Sequence, residues 1–161
     1  YIFPAGPLRE DLSAIKNAHL ILINGKKDIH FEEKLFNINK NLEFFYSHYN
    51  PINISKFKGK KLLAIAGIGN PNNFFNLLID NNLNLEKKLI FPDHYKFKER
   101  EIKEISTYAD QNNYQIIMTE KDYFKIKQFN IKNLGYLKIE LEIANKENLI
   151  KKIKEIYDKK N

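Results

Sequence analysis

Hydrophobic positions in this chain fall into short continuous runs alternating with segments of helical spacing. His19 to Asn24, centred on Leu20-Ile21-Leu22-Ile23, is an apolar run of strand length ending near Gly25, the form of a strand buried on both faces. Before it, Leu8, Leu12 and Ile15 share one face of a short helix that follows the rigid turn Pro4-Ala5-Gly6-Pro7. Lys26 to Asn41 carries Phe31, Leu35 and Phe36 and reads as a peripheral helix. Leu42 to Tyr49, rich in Phe and Tyr, reads as a second strand.

Beyond residue 61 the alternation becomes regular. Leu62-Leu63-Ala64-Ile65-Ala66 is a buried strand and Gly67-Ile68-Gly69 its turn. Asn70 suits an N-cap and Pro71 the first helical position, which predicts a helix through Phe74, Leu77 and Leu78 to Asn81. Lys88 to Phe91 is the next strand, and Ile102, Ile105 and Ala109 define a second helix. Ile116-Ile117-Met118 makes a third strand. Leu137 to Ile143 alternates Lys138, Glu140 and Glu142 with Ile139, Leu141 and Ile143, the mark of a half-exposed edge strand. Asn145 caps a last helix built on Leu149, Ile150, Ile153 and Ile156.

This rhythm predicts an α/β fold, a three-layer parallel sheet with helices on both faces and right-handed crossovers. The stretch from Asn50 to Lys61 holds Pro51, Ser55, Gly59 and four lysines with only isolated apolar residues, so it reads as a linker. The expected organisation is residues 1–50, a linker at 51–61, and an α/β domain at 62–161.

Composition changes that picture little but excludes several functions. A hydrophobic fraction of 43% in 161 residues supports a packed interior. No apolar run approaches the roughly 20 residues of a membrane-spanning helix. The absence of cysteine removes disulfides, thiolate metal sites and a Cys nucleophile, and suits a cytoplasmic setting. The chain opens on Tyr1 inside an apolar stretch and is expected to be part of a longer polypeptide. The charge of +7 rests on lysines dispersed among Glu and Asn, and Arg9 and Arg100 are the only arginines, so nucleic acid is not an expected partner.

In open parallel sheets ligands bind beyond the carboxyl ends of the strands. Three turns there carry candidate chemistry: Gly67 to Asn70, Pro92 to His94, and Thr119 to Asp122. Phe91-Pro92-Asp93-His94-Tyr95-Lys96-Phe97 puts an imidazole beside a carboxylate in a rigid turn, although one His next to one Asp also serves as a plain hydrogen-bonded turn. Gly67, Gly69 and Asn70 present backbone N–H groups suited to an anion, but glycines in such turns are also common for steric reasons. Thr119-x-x-Asp122 has the form of a capping box. Lys121 within it can reach a phosphate or simply face solvent. Arg9 with Glu10 is either a surface ion pair or a phosphate contact beside a magnesium-linked carboxylate. His19, His30 and His48 lack such surroundings and read as structural or surface residues. No Walker A loop is present: Gly25-Lys26-Lys27 and Gly59-Lys60-Lys61 lack both the upstream Gly and the Ser/Thr.

Four ordered segments then carry a resemblance: Pro4-Ala5-Gly6-Pro7-Leu8-Arg9-Glu10; Ala66-Gly67-Ile68-Gly69-Asn70-Pro71 with Phe74-Phe75; Phe91-Pro92-Asp93-His94 with Phe97; and Thr119-Glu120-Lys121-Asp122. Together they resemble the C-terminal half of the tetraacyldisaccharide 4'-kinase (lipid A 4'-kinase) family. The resemblance implies a P-loop-kinase-like, two-domain protein in which residues 1–50 close the N-terminal domain. It implies transfer of the ATP γ-phosphate to the 4'-hydroxyl of an acylated disaccharide 1-phosphate, with magnesium, at the cytoplasmic face of the bacterial inner membrane through peripheral membrane contact. In such proteins the Walker A loop, a paired-Asp motif and a membrane anchor precede the Pro-Ala-Gly-Pro stretch. By the same resemblance Glu10 falls on a magnesium-associated carboxylate, Arg9 on a neighbouring basic position, and His94 on the histidine that activates the sugar hydroxyl with an Asp from the N-terminal half. Lys98 departs from the family's usual Thr or Ser and weakens a helix cap. The competing expectations are a non-catalytic α/β module binding a phosphorylated sugar or lipid, and a metal-dependent hydrolase using Asp93, His94 and Glu10, disfavoured by the absence of His-rich ligand spacing.

Overall fold

Leu62 to Ala66 are all fully buried, and only a strand covered on both faces buries five consecutive side chains. A computed structural model describes residues 11–159. In chain order its main elements are β1 (Leu20–Asn24), α1 (Ile29–Ile38), β2 (Glu43–Pro51), β3 (Lys61–Ala66), α2 (Pro71–Asp80), β4 (Asn84–Ile90), α3 (Glu99–Gln111), β5 (Gln115–Thr119), α4 (Glu120–Ile126), β6 (Leu134–Leu137), β7 (Ile139–Ile143) and α5 (Lys146–Asp158). They form two compact units: the described residues up to Asn50 with those from Leu141 onward, and Pro51–Glu140.

The second unit is a four-stranded, all-parallel sheet in the order β4-β3-β5-β6. Because strand side chains alternate faces, β3 serves two cores at once. Leu62, Ala64 and Ala66 pack on one side with Phe74, Phe75 and Leu78 of α2. Leu63 and Ile65 pack on the other with Ile102 and Ala109 of α3 and Ile126 of α4. Each fully buried Leu, Ile or Phe contributes roughly 1.5–3 kcal/mol relative to exposure. The expected three layers are therefore present, with helices on both faces. Strand β4 alternates half-buried and exposed residues, as an edge strand does.

The first unit carries a three-stranded sheet in the order β1-β2-β7, with β1 and β2 parallel. Its buried side chains among the described residues are Leu35, Leu42, Phe45 and Ser47. Asp28 caps α1 by accepting the Phe31 N–H at 3.0 Å. Lys152 of α5 reaches Glu43 of β2 at 2.8 Å.

Three expectations change. Strand β1 is not buried on both faces: none of its residues is fully buried and Leu22 is 44% exposed, because β1 pairs on one side with β2 and lies at the sheet's edge. The single edge strand expected over 137–143 is two strands. Leu137 ends β6 beside β5, whereas Ile139–Ile143 joins β2, so the stretch from Leu141, with α5, belongs to the first unit. The alternation itself is real, but it does not encode which sheet a strand joins. Finally, residues 51–61 are packed: Phe57 is 4% exposed in the α2-side core, and the Asn53 side chain donates to the Tyr136 carbonyl and accepts the Lys138 N–H, both at 2.9 Å.

Gly135 of β6 shows how tightly Phe57 is seated. A Cβ there would lie 2.9 Å from the ring edge of Phe57. Gly135→Ala is expected to cost about 1–3 kcal/mol in chemical denaturation, as overpacking does, and adding Phe57→Leu should recover part of that loss. Unchanged stability of the single variant would show that the ring moves aside freely.

Candidate active site

Parallel pairing brings the ends of β3, β4 and β5 to one edge: Ala66 lies opposite Ile90, and Ile65 opposite Met118. The turns that follow these strands meet there, although the bond joining the first to the third spans 55 residues of sequence.

The turn after β3 has no side chain at Gly67, and its neighbours pack up to the edge of that space. A Cβ on Gly67 would lie 3.4 Å from the Asp122 carboxylate, from the Phe97 ring and from the Pro92 carbonyl, and one on Gly69 would lie 3.4 Å from Asp93. The third and second turns thus close directly on the first. Asn70 is the N-cap residue of α2 but its side chain makes no capping hydrogen bond, while Pro71 occupies the first turn as expected.

The turn after β4 is held from beneath by three rings. Phe91, Tyr95 and Phe97 lie 4.9, 5.0 and 5.2 Å apart, centroid to centroid, at tilted or edge-on angles. The Pro92 carbonyl accepts the Tyr95 N–H at 3.1 Å and closes the turn. His94 adopts a left-handed backbone, φ 59°, which side chains other than Gly, Asn and Asp adopt at a cost. Its N–H donates to Asp93 Oδ1 at 2.9 Å. Its imidazole projects into solvent, 77% exposed, with Nε2 3.8 Å from Asp93 Oδ2.

Asp93 also meets Lys121 of the third turn, Nζ to Oδ1 at 3.4 Å. Partial desolvation raises the Asp93 pKa, but the His94 N–H and the Lys121 ammonium outweigh it, and the net direction is downward.

The third turn departs from a simple capping box. Thr119 Oγ1 accepts the Asp122 N–H at 3.2 Å, which is the expected half. The carboxylate does not return to the Thr119 backbone. Instead, fully buried, it accepts the Gly67 N–H at 2.7 Å, the Thr119 hydroxyl at 2.9 Å and the Lys125 ammonium at 2.7 Å. Lys125 in turn lies 5.8 Å over the Phe97 ring.

Of the residues expected in the site, Gly67, Gly69, Asp93, His94 and Lys121 come together. Asn70 borders them in sequence without using its side chain as a cap. Arg9 and Glu10 lie outside the described residues, as does the Pro4 to Pro7 turn. His30 and His48 are exposed and pair with Glu33 and Glu142 within the first unit. Phe97, Asp122 and Lys125 carry the arrangement in ways the sequence did not announce. The spacing Thr119-x-x-Asp122 was the one visible signal, and it points to a local partner. Among the described residues no group of three or more His, Cys, Asp or Glu side chains is placed to hold a metal ion.

Because its folded pKa is depressed, the Asp93 carboxylate contributes stability that is present above about pH 3.9, its ordinary value, and is lost as pH falls through the lower folded value. Carboxyl titration by NMR is expected to show an Asp93 midpoint below that ordinary value, rising towards it in Lys121→Ala. An unchanged midpoint in the variant would assign the shift to His94 and not to Lys121.

Residues 1–158 match the family model described as tetraacyldisaccharide-1-P 4'-kinase. The tetraacyldisaccharide 4'-kinase of Pelagibacter ubique is 34% identical over 159 residues, covering 97% of this chain and 51% of that protein. That of Rickettsia akari is 34% identical over 159 residues, covering 95% and 46%. The chain therefore spans about half the length of the curated relatives it matches. Among solved structures, the "apo" form of LpxK from Aquifex aeolicus in complex with ATP superposes with a TM-score of 0.58 at 22% identity, covering 96% of this chain and 48% of that one, a likeness of fold. With residues 1–158 of its 161 matched, this chain belongs to the tetraacyldisaccharide-1-P 4'-kinase family.

Proposed function

We propose that this chain forms the C-terminal portion of a lipid A 4'-kinase, which transfers the ATP γ-phosphate to the 4'-hydroxyl of a tetraacyldisaccharide 1-phosphate. The observation that carries the reading is the convergence, at one sheet edge, of three of the four family-type segments around an exposed His94 on a clamped turn. His94 accepts the proton of the attacking sugar hydroxyl, which requires an imidazole that is accessible yet held in place. Asp93 Oδ2 lies 3.8 Å from Nε2 on the same turn. Lys121, with the N–H groups of Gly69 and Asn70, forms the border against which a phosphorylated substrate is oriented; the Gly67 N–H, expected among these donors, is taken by Asp122.

ATP and magnesium supply the phosphoryl group and the neutralisation of its charge. Glu10 is the metal-associated carboxylate and Arg9 its basic neighbour in this reading, by resemblance. The ATP cradle lies outside these 161 residues, since no Walker A loop occurs among them. Residues 1–50 belong with that P-loop portion. The setting is the cytoplasmic face of the inner membrane by peripheral contact, which agrees with there being no helix among the described residues long and apolar enough to cross a bilayer.

In a kinase assay of the full-length protein, His94→Asn is expected to lower turnover roughly 10²-fold or more, the usual contribution of a general base. Asn tolerates the left-handed backbone that Ala would strain, so near-normal turnover in this variant would sink the catalytic role of His94. The 161 residues alone are expected to show no magnesium-dependent ATP turnover, measured as released phosphate. Turnover by them would overturn the division of the site between two halves.

A further inference from the structure

Asp122 is a fully buried carboxylate that the chemistry above does not use, and it sits where the three turns meet. We propose that Asp122 is a positioning residue for His94, acting through Gly67 and Phe97. The proposal rests on the reading of His94 as the base.

The physical argument begins with cost. A carboxylate excluded from water is strongly unfavourable unless its charge and its lone pairs are met. Asp122 is met three times, by the Thr119 hydroxyl and the Lys125 ammonium of its own segment and by the Gly67 N–H of the β3 turn. A capping role needs only Thr119 and α4, so the bond to Gly67 is surplus to it. What that bond does is hold the β3 turn against the β5 turn. The Pro92 carbonyl and the Phe97 ring face Gly67 closely enough that a Cβ there would touch both at 3.4 Å. Lys125 adds a second route: bound to Asp122, its ammonium lies 5.8 Å over Phe97. Phe97 packs against Phe91 and Tyr95, which flank the Pro92 to His94 turn. The side chain of His94 has no packing of its own to fix it, being 77% exposed, so the position of its imidazole depends on the placement of the turn beneath. Misplacing a reacting group by about 1 Å can cost about 10²-fold in rate.

A carboxylate serving stability alone would, when removed, lower the melting temperature and leave turnover of the folded enzyme intact. A positioning residue lowers kcat in the folded enzyme, leaves KM nearly unchanged, and does so only while His94 is present. The test uses the full-length protein with ATP and the lipid acceptor, at a temperature where melting curves show every variant folded. Asp122→Ala is expected to lower kcat about 10–100-fold with KM for either substrate within a few-fold. Asp122→Asn, which keeps an oxygen for the Gly67 N–H, should recover part of the loss. In the His94→Asn background Asp122→Ala should have little further effect, the non-additivity expected of residues acting as one unit. Should Asp122→Ala fail to fold, Lys125→Met takes its place in the same cycle, with a smaller fall in kcat expected.

Unchanged kcat in the folded Asp122 and Lys125 variants overturns the proposal. So does an equal fall in both backgrounds, with His94→Asn itself deficient, because Asp122 would then act elsewhere. Near-normal turnover of His94→Asn alone marks the different failure, that of the base assignment.

Discussion

A buried carboxylate receiving a backbone N–H from a turn 55 residues away is the constraint on which the sheet's carboxyl edge depends. Burial of Asp122 would be costly without its three donors: two, Thr119 and Lys125, are local to it, and the third, Gly67, ties in the β3 turn. The interaction therefore works as a registration device. It fixes the distance between the β3 and β5 turns, and the absence of a side chain at Gly67 lets the Pro92 carbonyl and the Phe97 ring close on the same point.

His94 is the complement of that arrangement. Its side chain is exposed, yet its backbone is among the most constrained on this edge, with a left-handed φ, a hydrogen bond to Asp93 and three rings beneath. A backbone conformation that costs free energy persists only where the surroundings over-determine it. Here the cost is offset by the aromatic packing and by the closed turn at Pro92 and Tyr95. The same logic explains why Asp93 carries two partners. The N–H of His94 and the ammonium of Lys121 tie the second turn to the third through one carboxylate.

The two units differ in how much they bury. The sheet of β3 to β6 is covered on both faces and holds nearly all of the fully buried side chains. The β1-β2-β7 unit buries few, and α5 has no fully buried residue, with Ile150 43% and Ile153 52% exposed. Local stability follows buried apolar contact. The candidate site accordingly stands on the better-packed unit, where small displacements of its turns meet the most resistance.

Periodicity and capping patterns determined the βα rhythm after residue 61, the helix starts near Pro71 and Glu120, and the edge at which the three candidate turns meet, because alternation, helical spacing and capping are local properties of the backbone. His94, Asp93, Gly67 and Lys121 were legible for the same reason: each occupies a turn after a recognisable strand. What only tertiary structure decided were the relations across long separations. The Leu137 to Ile143 alternation could not say that it divides between two sheets, and Phe57 in a lysine-rich segment gave no sign of its burial against Gly135. The form of Thr119-x-x-Asp122 names a partner three residues away, whereas the partner that matters, Gly67, is set by strand register and sheet order. Register is a property of paired strands, and no single strand's sequence contains it.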